Sequence, residues 1–145
     1  LDFEDSLPIL LLRAREACMA RFRPILAEQG LTEQQWRVVR ALAEDNGLES
    51  TALAERTLIL NPSMTGIIDR LERDELVQRK KDKEDGRKTC IWLTRKAKRL
   101  YERIMPLVQA EYSEMQDEFS DKRWDDLYDS LFHLIKLNSK TLHNN

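Results

Sequence analysis

Apolar residues recur every three or four positions over most of the chain, the period of amphipathic helices. The first such stripe, Leu7, Leu11, Ala14, Cys18, Phe22 and Ile25, predicts a helix from Leu7 to Glu28 with one buried side, and Gly30 ends it. A second helix starts at Leu31-Thr32-Glu33-Gln34-Gln35-Trp36, where Thr32 can cap the Gln35 amide, Gln35 can reach back, and Leu31 can pack on Trp36. It continues through Val38, Val39 and Leu42 to Glu44, and Asn46-Gly47 closes it. Ser50 is expected to cap a short helix over Thr51–Arg56, and Asn61-Pro62 to cap another from Pro62 to Asp74. The period then changes. Leu76–Asp82 and Lys88–Thr94 read as two strands joined by a tip containing Asp85-Gly86. A long helix follows from Thr94 with Ala97, Leu100, Tyr101, Ile104, Leu107, Val108, Tyr112 and Met115 on one side; Pro106 within it is expected to bend it. Ser120 then caps a last helix carrying Trp124, Leu127, Leu131, Leu134, Ile135 and Leu142.

The predicted fold is therefore mainly α with a β-hairpin. Two short helices separated by a tight turn and followed by a basic hairpin make a winged helix-turn-helix, which seats its second helix in the DNA major groove. In helical projection Met64, Ile67, Ile68 and Leu71 share the core side of that second helix, while Ser63, Gly66, Arg70 and Arg73 lie opposite. Ser63 can bond a phosphate or a base edge, Gly66 lets backbone approach closely, and the Arg70 fork suits guanine or phosphate. The free amides near Asn61 to Thr65 add a phosphate site at the helix start. In the hairpin, Arg79, Lys80, Lys81 and Lys83 precede the tip and Arg87-Lys88 follow it. Lys and Arg also protect an ordinary edge strand, but an Arg beside a turn suits the narrow minor groove better.

Composition sharpens this picture only locally. The 145 residues carry a net charge of -2 that hides a segregation: Arg70–Arg103 holds 13 Lys/Arg against 7 Asp/Glu, whereas Gln109–Asp129 holds 2 against 8. A basic middle fits a polyanion, and the acidic stretch fits some other surface. The longest apolar run, Leu7–Leu12, includes a proline and is far short of the roughly 20 residues of a membrane span. With no secretory start, a cytoplasmic location is expected. Two Cys and two His lie too far apart in sequence for a metal site or a disulfide framework, and no phosphate loop or nucleophile motif is present. Neither catalysis, a metal nor a cofactor is expected. His133, between Phe132 and Leu134, reads as a packing or interface residue, and Cys90 as filling a strand.

Three segments together resemble the helix-turn-helix of MarR-type transcriptional regulators: Leu53-Ala54-Glu55-Arg56, Asn61-Pro62-Ser63-Met64-Thr65, and Ile68-Asp69-Arg70-Leu71-Glu72-Arg73-Asp74-Glu75-Leu76-Val77. Asp85-Gly86-Arg87 with Ile91-Trp92-Leu93-Thr94 resembles that family's wing. Ala14-Arg15-Glu16, Phe22-Arg23-Pro24 and Leu31–Arg37 are similar to the branch that represses homoprotocatechuate (4-hydroxyphenylacetate) degradation operons. The resemblance implies one chain, 1–145, with a DNA-binding lobe at 32–94 and dimerisation helices at 1–30 and 95–145. Two copies would sit on a palindromic double-stranded operator. The apolar surface of the first and last two helices exceeds what one lobe covers, which agrees with a homodimer. On this analogy Ser63, Thr65 and Arg70 are recognition-helix positions, Asp69 orients an Arg, Arg87 enters the minor groove and Asp85 holds the wing.

The family also implies an aromatic ligand between the dimerisation and DNA-binding parts. In projection Arg15 falls inside the apolar stripe of the first helix, between Phe22 and Leu26, where a charge needs a partner. That partner is either a protein carboxylate such as Glu16 or Glu111, or the carboxylate of an aromatic acid, with Met19, Trp36 and Arg40 around the ring. Trp36 also suits a staple and core role. Other readings stay open: another phenolic or drug-like ligand, oxidation sensing through Cys18, or a chromosome-coating protein without site preference.

Overall fold

A computed structural model describes residues 1–142, the side chains as far as Asn138. A 3-10 turn, Phe3–Asp5, precedes α1 (Leu7–Glu28), α2 (Glu33–Glu44), β1 (Leu48–Glu49), α3 (Ser50–Thr57), α4 (Asn61–Arg73), β2 (Val77–Lys81), β3 (Thr89–Leu93), α5 (Arg95–Phe119) and α6 (Asp121–Leu142). The chain divides into two compact units, Leu1–Val108 and the residues from Gln109 onward.

In the first unit the expected capping box forms: Thr32 Oγ1 accepts from the Gln35 amide at 3.1 Å, and the Thr32 amide donates to Gln35 Oε1 at 3.0 Å. The next two helix starts differ from expectation. Ser50 lies inside α3 and Asn61 inside α4; Glu49 and Leu60 hold the N-cap positions without a side-chain bond. Pro62 is tolerated in the first turn, where the N–H it lacks would have no intrahelical acceptor, and the Ser63 and Met64 amides after it bond the Leu60 carbonyl (3.0 and 3.1 Å). The core comes from helix stripes closing on the sheet. Val38, Leu42, Leu53, Met64, Ile67, Ile68, Leu71, Val77, Ile91 and Ile104 are almost wholly buried, each such side chain stabilising the fold by about 1.5–3 kcal/mol.

The sheet is three-stranded and antiparallel, in the order β1-β3-β2. Both hairpin strands are slightly shorter than expected, and two-residue β1 was not foreseen; it pairs Leu48 with Ile91 and Glu49 with Cys90. Asn46 Oδ1 accepts the Leu93 amide (3.0 Å) and the Gly47 amide reaches the Ile91 carbonyl (3.0 Å), fastening this edge. Gly47 is required twice over: its φ is +81°, and a Cβ there would come within 2.5 Å of Trp92 Cζ2. Thr94 joins sheet to α5 by donating to the Glu75 carbonyl (2.7 Å) and accepting from the Ala97 amide (3.1 Å). α5 runs on through Pro106, which lies inside the helix as expected.

The expected apolar stripe of α1 is not a buried one. Phe22 and Leu26 are buried and Ile25 half-buried, but Leu7, Leu11, Ala14 and Cys18 are exposed, with Phe3, Leu10 and Leu12 beside them. On α5, Ala97, Leu100, Ile104, Val108 and Met115 are buried as expected, Tyr101 and Tyr112 half-buried, and Leu107 exposed.

In the second unit an aromatic row holds the helices: Trp124 meets Phe119 (5.9 Å), Tyr112 (6.5 Å) and Tyr128 (5.3 Å), and Tyr128 meets Phe132 (6.3 Å). Ser120 sits at φ +70°, with its carbonyl accepting the Trp124 amide (3.0 Å). Leu127, Tyr128, Leu131, Phe132, Ile135 and Leu137 are all exposed, as is His133, so the expected packing role for His133 is not seen among the described residues. Leu142, assigned to the same stripe, has its side chain outside the described residues.

Candidate nucleic-acid interface

α4 exposes one polar side because Met64, Ile67, Ile68 and Leu71 commit the other to the core. Asn61, Ser63, Thr65, Asp69, Arg70 and Arg73 are all exposed on it. Gly66 is half-buried under Arg70, whose Nη1 would lie 3.7 Å from an added Cβ, an ordinary contact. The helix start carries no side-chain cap, but Pro62 has no N–H and the Ser63 and Met64 amides bond the Leu60 carbonyl, so the run of free amides expected over Asn61 to Thr65 is not present and the positive dipole end is what remains to attract an anion. Arg73 lies 3.7 Å from Asp74 Oδ1 with most of its side chain in solvent, an ion pair worth little.

The strand after α4 is tied to it through Arg79. Its Nη2 bonds Asp69 Oδ1 at 2.5 Å and its Nη1 bonds Glu72 Oε1 at 2.9 Å, while its amide donates to Glu72 Oε2 at 3.2 Å. Partial burial opposes the Arg79 charge, but the bonds to Asp69 and Glu72 outweigh it and hold the pKa above its ordinary value. Two consequences follow. One guanidinium offsets half the charge of two carboxylates on the exposed helix side, and the hairpin is held against α4. Asp69 thus orients an Arg, as expected, and that Arg is Arg79.

At the hairpin tip Asp85 Oδ1 accepts both the Arg87 amide (3.1 Å) and Arg87 Nε (3.3 Å). The Arg87 side chain is nonetheless 93% exposed, so it is aimed by its neighbour and left free to meet a groove. Lys88 stands 3.7 Å from Glu49 Oε1 and is partly neutralised by it, a weaker candidate than Arg87. Lys80, Lys81 and Lys83 are exposed.

The second group of candidates lies on α1 and α2. Arg15 and Met19 are one turn apart on α1, and Trp36 and Arg40 one turn apart on α2. Trp36 is buried and stacks on Tyr101 (ring centroids 5.7 Å apart), so its core role is realised; Met19 and Arg40 are half-buried. Arg15 is not alone in an apolar stripe. It pairs with Glu33 and lies 3.7 Å from Glu16. Glu33, missed from the sequence, is the hub: its carboxylate also bonds Arg23 Nη2 (3.1 Å) and Arg37 Nη2 (3.2 Å), and only 18% of its side chain is exposed.

Arg23 forks onto Glu16 (2.9 and 3.0 Å), and these hydrogen bonds hold the Glu16 carboxyl below its ordinary range. Arg37 also caps the Thr57 carbonyl at the end of α3 (2.8 Å). Desolvation, with Arg15 close by, lowers its pKa. Three guanidiniums around two carboxylates leave a local positive excess beside Trp36, an environment suited to an organic anion. The one legible signal was Glu33 four residues before Arg37.

Cys18 is exposed and Cys90 buried, where desolvation raises its thiol pKa. Among the described residues no cluster of His, Cys, Asp and Glu is placed to hold a metal, and no helix is long and apolar enough to cross a membrane.

Residues 31–89 match the profile of the MarR family. The chain is 45% identical to the homoprotocatechuate degradative operon repressor of Escherichia coli over 133 residues, 92% of this chain and 90% of that one. It is similar in structure to NadR in complex with 4-hydroxyphenylacetate, with a TM-score of 0.77 and 40% identity, covering 92% of this chain and 95% of that one. A third similarity is to the repressor CouR bound to a 23-mer DNA duplex, with a TM-score of 0.83 and 25% identity over 91% and 94% of the two chains.

Proposed function

The chain belongs to the MarR family of transcriptional regulators, and on that premise we propose that it is a cytoplasmic homodimeric repressor of an aromatic-acid catabolic operon, released by an aromatic carboxylic acid. The observation that carries the DNA-binding part is the Arg79 tie, which fixes the hairpin that bears the exposed Arg87 against α4 and pairs with the Asp69 and Glu72 carboxylates there. On this reading residues 32–94 contact DNA. Asn61, Ser63, Thr65, Gly66, Arg70 and Arg73 face the major groove and the phosphates beside it; Arg87 and Lys88 meet the minor groove or its backbone. Residues 1–30 and 95–145 join two copies across a palindrome, supported by the exposed apolar rows of α1 and of α6. As a regulator the chain needs no catalytic residues.

The effector reading is supported by the operon named for the 45% identical repressor and by the acid bound to NadR. Arg15, Met19, Trp36 and Arg40 are the proposed ligand residues. An acid whose carboxylate draws Arg15 away from Glu33 would change how α1 meets α2. If it binds better to a lobe spacing that does not fit the operator, it weakens DNA binding by the same coupling, typically about 1–3 kcal/mol.

The test is fluorescence anisotropy on DNA from immediately upstream of the chain's own gene, titrated with 4-hydroxyphenylacetate and with homoprotocatechuate. Tight, site-preferring binding released by one acid, with release lost in Arg15→Ala, is expected. Binding indifferent to both acids removes the effector reading and keeps the regulator. A thiol-sensing reading gains from one observation, the exposure of Cys18; operator binding unchanged by peroxide dismisses it.

A further inference from the structure

The turn between α3 and α4 departs from local preference in three ways. Leu58 adopts the left-handed conformation, φ 58° and ψ 34°, at the end of α3, where glycine is the usual residue because a Cβ is crowded there. The same side chain is 87% exposed. Leu60, 76% exposed, occupies the N-cap of α4, where its carbonyl takes the Ser63 and Met64 amides and its side chain bonds nothing. Ile59 between them is buried, so the core needs that one residue and neither neighbour. A left-handed leucine and two exposed apolar side chains in one short turn mark a site shaped for something other than the chain's own stability.

What covers these side chains follows from their place. On the reading given above, on which this inference rests, the N-terminal turn of α4 enters the major groove, and Leu60 is the residue that leads it in. Asn61, Ser63 and Thr65, exposed beside it, suit the hydrogen-bonding atoms of base edges. The apolar feature of a major-groove edge is the C5-methyl group of thymine. We propose that Leu58 and Leu60 contact thymine methyl groups next to the bases met by Ser63 and Thr65, so that the operator is read partly by apolar contact.

The full-length protein is used to select its preferred duplex from a random pool, and each thymine of that duplex is then replaced singly by deoxyuridine, which lacks the methyl. Binding is compared for the native chain, Leu60→Ala and Leu58→Gly. At one or more positions the native chain is expected to lose about fourfold in affinity, the worth of one buried methyl-sized group. The same replacement should have little effect on the variant whose leucine met that methyl. Leu58→Gly should melt at or above the native temperature, since the strain is relieved, while binding the selected duplex less tightly.

Selection that succeeds, followed by indifference to every deoxyuridine or equal losses in all three proteins, overturns the leucine contacts and leaves α4 as the recognition helix. Failure to select any sequence takes down the recognition reading and this inference with it. A change of oligomeric state in either variant, with DNA binding intact, assigns the leucines to a contact between copies and overturns the proposal.

Discussion

Two helices of similar amphipathic pattern end differently. In α4 the apolar side is consumed, with Ile68 and Leu71 at 1% and 0% exposure. In α6 it is left open, with Leu131 and Phe132 at 36% and 56%. Periodicity states that a helix has an apolar side; what covers that side depends on which elements topology brings to it. α4 meets α2, α3 and β2 within its own lobe. The open rows on α6 and on the first half of α1 hold large side chains in water at a cost that the proposed second copy would remove. On that proposal the difference separates a region that stabilises the lobe from one that assembles the dimer.

The strongest way to break that contrast is Leu71→Ala against Phe132→Ala. Leu71→Ala should cost about 2–5 kcal/mol, by lost transfer energy and the cavity left behind. The loss should be the same at every protein concentration. Phe132→Ala should lower the urea midpoint mainly where dimer is populated, so its effect should change with concentration. Equal, concentration-independent losses would place the α6 row in the chain's own core.

A smaller effect separates the surface proposed to face DNA from the core behind it. Arg79→Ala leaves Asp69 and Glu72 uncompensated on the exposed side of α4 and should weaken operator binding roughly tenfold, about 1.4 kcal/mol. Adding Asp69→Asn and Glu72→Gln should recover part of it, which loss of fold would not allow. Arg87→Ala, at the solvent-exposed tip, should leave stability within about 0.5 kcal/mol of native. Its mark should be a slope of log K against log salt reduced by about one.

The smallest effect concerns pH. The Arg23 bonds hold Glu16 below its ordinary pKa, so its contribution to stability is present above the unfolded value and lost as pH falls through the folded one. Thermal melts across the acid range should show the native chain losing slightly more on acidification than Glu16→Gln. Parallel curves would show that this exposed pair contributes nothing.

Much of this architecture was legible because it is written in short-range signals. The Thr32–Gln35 capping box, the limits of α1, the apolar side of α4 and the Asp85-Gly86 tip each depend on residues within a few positions of one another. The misplaced caps at Ser50 and Asn61 show the limit of such signals: a good capping residue one position inside a helix looks the same in sequence as one at its edge. Two-residue β1 is too short to have a period and exists because Asn46 and Gly47 hold it to β3. The Glu33 hub was not legible, since its arginines come from two helices and face it only after those helices pack. That Arg15 needs a carboxylate partner was readable; that the stripe around it is mostly exposed and that Glu33 is the main partner was not. The exposed polar side of α4 was therefore readable position by position, and the α1–α2 ion cluster only after folding.

The most direct test of the central claim is the affinity of 4-hydroxyphenylacetate and of homoprotocatechuate, measured by calorimetry with and without saturating operator. If an aromatic acid releases this repressor through a shared conformational equilibrium, operator must weaken the acid's affinity by the same factor by which the acid weakens the operator's. An acid that binds with identical affinity in both conditions would contradict the account.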